Sequence, residues 1–69
     1  MKQVRVTEAG SKRLNLPKGT VLWVKESEIN ERGVALRAYS GGKTFRWATG
    51  MATVKEFAPD DPSPSLELV

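Results

Sequence analysis

The sequence contains no cysteine and no histidine. Without cysteine no disulfide framework can form, and without either residue the commonest zinc ligands are missing. The usual nucleophile–base pairs of covalent catalysis cannot be assembled. Carboxylates do not replace them: Glu26, Glu28 and Glu31 fall in one polar stretch with no apolar pocket to raise a pKa. The expectation is a non-enzymatic protein with no metal and no cofactor. Long apolar runs are absent as well, since nothing approaches the roughly 20 residues needed to span a bilayer. The start, Met1-Lys2-Gln3-Val4-Arg5-Val6, alternates and builds no signal-peptide core. These absences imply a soluble, cytoplasmic protein with no membrane partner. Aromatic residues are scarce, two Trp, one Tyr and two Phe, so the position of each one matters.

What is present fits one small domain. At 69 residues the chain lies near the lower limit for burying a core of its own. Charge is divided unevenly. All 11 Lys and Arg lie within residues 1–58 against five carboxylates, a net +6, while Asp60, Asp61 and Glu67 make residues 59–69 −3. A basic body suits a polyanionic partner through counterion release, although solubility alone also calls for surface charge.

Along the chain, residues 2–8 alternate, with Val4 and Val6 on one face and Gln3, Arg5 and Thr7 on the other, the pattern of a half-buried strand. Residues 9–19 carry Gly10, Ser11, Asn15, Pro17 and Gly19 and read as a long ordered loop pinned by Leu14 and Leu16. Thr20–Lys25 reads as a strand, with Leu22 and Val24 inward and Val21, Trp23 and Lys25 outward. After a polar connection anchored by Ile29, Val34–Tyr39 reads as a third strand, with Val34, Leu36 and Ala38 on one face. Ser40-Gly41-Gly42-Lys43 signals a hairpin, because paired glycines accept positive φ. Thr44–Ala48 and Met51–Phe57 supply two more strands, parted by Thr49-Gly50. Beyond Ala58, the run Pro-Asp-Asp-Pro-Ser-Pro-Ser has no pattern that buries a face. Residues 59–69 are expected to be a disordered acidic tail, dispensable for folding.

Five short strands at these intervals predict an all-β fold, a small antiparallel barrel over residues 2–57. The run Leu14-x-Leu16-x-Lys18-Gly19-x-x-Leu22-x-Val24 resembles the diverging turn and second strand of SH3-like barrels. The resemblance implies a five-stranded SH3-like barrel with Gly41-Gly42 as its distal hairpin. It does not extend to polyproline recognition. The aromatic motif of the first strand is replaced by Val4-Arg5-Val6-Thr7-Glu8, and no Trp opens the third strand. The expected core is Val4, Val6, Leu16, Leu22, Val24, Leu36, Phe45, Trp47 and Val54.

With those residues inward, Trp23, Lys25, Arg37, Tyr39, Thr44 and Arg46 share the outer face of three strands. Aromatics among cations suit nucleic acid, DNA or RNA, with bases stacked on rings and phosphates on Lys or Arg. The same residue types make hot spots at protein interfaces, so an adaptor or inhibitor of a larger machine is the alternative. A third reading is purely structural, with the long loop covering Trp23 and arginine stems shielding the sheet. A register shift of one residue would exchange the two faces. Lys12 and Arg13, with Lys18, form a second basic cluster in the long loop, either a phosphate contact or a solvated loop. Leu66–Val69 could add as a strand to a partner, fold back on the body or fray. Small size and the lack of catalytic residues look similar to accessory proteins of bacteria and their phages. A monomer or weak homo-oligomer is expected.

Overall fold

A computed structural model describes residues 1–69. The elements in chain order are β1 (Lys2–Val6), α1 (Glu8–Leu14), β2 (Val21–Val24), a single 3-10 turn at Glu26–Glu28, β3 (Ala38–Ser40), β4 (Lys43–Phe45) and β5 (Leu66–Leu68). The strands form one sheet in the order β4-β3-β2-β1-β5, each neighbour antiparallel.

The sheet does not close into a barrel. Its outer strands, β4 and β5, lie at opposite edges and no ladder joins them. Pairing continues past β5 only as isolated bridges, Leu66 with Val54, Thr53 with Val34 and Ala35 with Ile29. Single bridges cannot impose the continuous stagger that barrel closure requires. Val34–Tyr39 is therefore not one strand. Val34 and Ala35 are both buried in succession, which breaks the alternation, and Leu36, expected in the core, is 53% exposed. Met51–Phe57 likewise reduces to the two bridged residues followed by a turn at residues 55–57, and β4 stops at Phe45.

The long loop expected at residues 9–19 begins with a helix. Thr7 is extended and its hydroxyl accepts a hydrogen bond from the Gly10 amide at 3.0 Å, an N-cap. Glu8 in the first turn and Lys12 and Arg13 in the last complement the helix dipole, and Asn15 ends the helix in the left-handed region (φ 57°). Gly10 and Ser11 hide this helix from a propensity reading, since both disfavour helix interiors. Gly10 is needed for another reason: a Cβ there would lie 2.0 Å from the Ser65 carbonyl oxygen. Pro17-Lys18-Gly19 then turns the chain, with Gly19 at φ 86°, and the Gly19 amide donates to Val6 O, returning β2 beside β1.

The acidic tail is not disordered. Leu66 pairs with Val6 and Leu68 with Val4, and Ser65 and Leu66 are fully buried. Residues 59–69 therefore complete the domain that the sequence pattern ends at residue 58. Thr7 Oγ1 donates to Pro64 O at 2.6 Å, Arg13 Nη1 donates to Ser63 O at 2.6 Å, and Ser65 Oγ donates to Met51 O at 2.5 Å. The core lies on one side of the sheet: Val4, Val6, Leu22, Val24, Ala38 and Leu66 from strands, Leu14 from α1, and Ala35, Ala52 and Val54 from the irregular segments. Leu16, Phe45 and Trp47 pack against it half-buried, with the two rings stacked 5.9 Å apart.

Candidate functional site

The other side of the sheet is open, and its register sorts the outward residues into rows. Gln3 lies opposite Trp23, Trp23 opposite Tyr39, and Tyr39 opposite Thr44, so one row crosses four strands. A second row, Val21–Arg5–Glu67, runs beside it on β2, β1 and β5. Lys25, Arg37 and Arg46 lie one residue beyond β2, β3 and β4, at the same end of these three antiparallel strands. All three are exposed. The outward assignment of Trp23 holds, for its side chain is 42% exposed while Leu22 and Val24 are fully buried.

Contacts divide these residues by what they are free to do. Trp23 has no stacking or hydrogen-bonding partner on its exposed surface. Tyr39 is committed on two sides. Its hydroxyl donates to Glu28 Oε1 at 2.6 Å, and Lys25 Nζ sits over its ring, 5.2 Å from the centroid. The Glu28 hydrogen bond, followed by partial burial and the Glu28 charge, raises the Tyr39 pKa above its ordinary 10.0, against an opposing influence of Arg37. The phenol thus stays a neutral donor, and Arg37 lies close enough to act on it. Arg5 is neutralised: its Nε donates to Glu67 Oε1 at 2.9 Å.

Lys12 and Arg13 do not join this face. They occupy the last turn of α1 instead of a flexible loop, and Arg13 is engaged by Ser63 O and, at 3.3 Å, by Ser65 Oγ. Its position makes it a fastener for the C-terminal segment. Asp61 belongs to the same fastening. The Ser63 amide donates to its carboxylate at 2.9 Å, and this bond, then Thr53 and Arg13, lowers its pKa below the ordinary 3.8.

Sequence reasoning missed Gln3, Val21, Glu28 and Glu67. Gln3 and Val21 were legible as outward residues of alternating strands, but Glu28 and Glu67 reach the face only through tertiary pairing. The largest groove, about 680 Å³, lies elsewhere, between the start of α1 and residues 55–67. Glu8, Glu56, Asp61 and Glu67 line it against a single cation, Lys55, which disfavours a polyanion there. No three His, Asp or Glu side chains converge to hold a metal ion, and no helix is long and apolar enough to cross a membrane. No protein-family model matches the chain, and neither a curated protein nor a solved structure matches it.

Proposed function

We propose that the protein is a non-enzymatic nucleic-acid-binding accessory module that works through the outer face of its sheet. One observation carries this: an exposed aromatic, Trp23, stands in a row of outward residues, and the exposed cations Lys25, Arg37 and Arg46 lie just beyond β2, β3 and β4 at one end of that row's strands. Bases have π-faces that stack on aromatic rings in a sequence-tolerant way, and phosphates meet the neighbouring Lys and Arg. The opposite side of the sheet is filled by the core, so binding falls to this face.

Titration with short oligonucleotides at several salt concentrations tests the proposal. With three cations meeting phosphates, the logarithmic salt slope on single strands should be about −2, at roughly 0.7 per phosphate. Arg46→Ala should flatten it by about 0.7 for every sequence alike. Absence of salt-dependent affinity for any DNA or RNA refutes this function.

A second reading has its own observation. Val21 is 42% exposed on the same β2 face as Trp23, and the carboxylates Glu28 and Glu67 stand at the margins of the face. An apolar centre rimmed by both signs of charge suits a protein partner. Recovery from lysate with and without nuclease separates the two: loss of the bound material on nuclease treatment supports nucleic acid, and a nuclease-resistant stoichiometric protein supports the alternative.

A further inference from the structure

We infer that this face takes a single unstacked base on Trp23 and the adjoining phosphate on Lys25, with Tyr39 a positioning residue for Lys25 and not a second stacking platform. The ligand class is then single-stranded DNA or RNA, and a fully paired duplex is a poor ligand. This rests on the nucleic-acid function proposed above and makes it specific.

The geometry distinguishes the two aromatics. They are paired across β2 and β3, yet Trp23, 42% exposed, has no ring or cation stacked on it, whereas Tyr39 has Lys25 over its ring. The Tyr39 ring has a cation over it and its hydroxyl is held by Glu28, so a base stacking on that face of Tyr39 must first displace Lys25. Lysine is otherwise a flexible point charge whose ordering costs rotamer entropy. A ring beneath its ammonium restricts it through a cation–π contact while leaving its remaining donors to solvent. Lys25, extended and one residue past the end of β2, follows Trp23 by two residues, about 6.6–6.8 Å along the chain, and its ammonium over the Tyr39 ring keeps it on the outer face. The pair therefore presents one stacking surface and one pre-placed cation to the same nucleotide. In a duplex every internal base is stacked on both faces, and its ring cannot reach Trp23 without being extruded.

The test uses the whole chain with oligo(dT) and oligo(rU) of about 12 nucleotides, a matched duplex, and an abasic strand of equal charge. Both single strands should bind more tightly than the duplex or the abasic strand, and the two sugars separate DNA from RNA preference. Trp23→Leu should weaken single-strand binding about 5- to 150-fold with the salt slope unchanged. Lys25→Ala should reduce the slope by about 0.7. Tyr39→Leu should weaken binding with the slope kept, because the lysine charge remains, and should add no further loss in the Lys25→Ala background. Tyr39→Phe, which keeps the ring, should bind as the wild type does. Circular dichroism melts establish that each variant folds. Duplex or abasic strand bound as tightly as oligo(dT) and oligo(rU) overturns the unstacked-base inference while sparing nucleic-acid binding itself. A Tyr39→Leu change that weakens binding as much in the Lys25→Ala background as in the wild type makes Tyr39 a stacking platform and overturns its positioning role. No binding to any probe removes both this inference and the function beneath it.

Discussion

Val4-Arg5-Val6 and Leu66-Glu67-Leu68 are the same pattern, apolar–charged–apolar, at opposite ends of the chain. The structure places them side by side, Val4 opposite Leu68 and Val6 opposite Leu66, with Arg5 and Glu67 ion-paired on the outer face. Only the first announces itself as a strand. It opens an alternating run that leads into the body, whereas the second follows three prolines, two aspartates and two serines in close succession. Composition describes the connector from 59 to 65 well, since it forms no strand or helix. It says nothing about the three residues that follow. A short alternating segment stays disordered when alone and becomes a strand when a partner edge is available. Here β1 is that edge.

The comparison can be broken most severely by removing one member. A chain ending at Ala58 loses β5, the fully buried Ser65 and Leu66, and the bonds that Thr7 and Arg13 make to residues 63–65. It should show no cooperative thermal transition, although the pattern of residues 59–69 suggests a dispensable tail. A folded truncation with a wild-type melt would mean that β5 is an ornament. Next in size is Leu66→Ala. Leu66 is as completely buried as Leu22, so each replacement by Ala should cost about 2–5 kcal/mol in denaturant titrations. Equality of the two would show that the ends of the chain contribute alike to one core.

Gly10→Ala sharpens the comparison at a single contact. In a free helix this change stabilises by up to about 1 kcal/mol. Here the new methyl would lie 2.0 Å from the Ser65 carbonyl oxygen, backbone that is itself fully buried and hydrogen-bonded. The sign should reverse, with a loss of about 1–3 kcal/mol from overpacking. A stabilised Gly10→Ala protein would mean that Ser65 does not rest on α1.

The smallest effect concerns Asp61, in the connector. Its carboxyl titrates below its ordinary 3.8, chiefly because the Ser63 amide donates to the carboxylate. A group whose folded pKa is depressed adds stability above its unfolded pKa and loses it as pH falls through the folded value. Asp61→Asn should therefore lower the melting temperature slightly at pH 7, by the equivalent of at most about 1 kcal/mol for one exposed hydrogen bond. The gap between variant and wild type should close as the pH is taken below about 4. A gap that stays constant down to pH 2.5–3 would show that the ionised carboxylate is not what holds the connector.

What the sequence by itself determined is local and periodic. Alternation fixed Val4 and Val6, Leu22 and Val24 as inward and Trp23 as outward, because neighbouring side chains on a strand point to opposite faces. Gly41-Gly42 marked the β3–β4 hairpin, because both glycines adopt the positive φ such a turn demands (54° and 81°). The outward row of Trp23, Tyr39 and Thr44 followed from those two readings. The tertiary structure decided what has no local period. Leu36 is exposed because Val34 and Ala35 bridge to separate segments and break the alternation. Lys12 and Arg13 stand on a helix because Thr7 caps it and Gly10 lets it approach Ser65. Glu28 and Glu67 reach Tyr39 and Arg5 across 11 and 62 residues of chain. The last strand exists because β1 offers it hydrogen-bonding partners and the core offers Leu66 a place away from water, neither of which is written in residues 59–69 themselves.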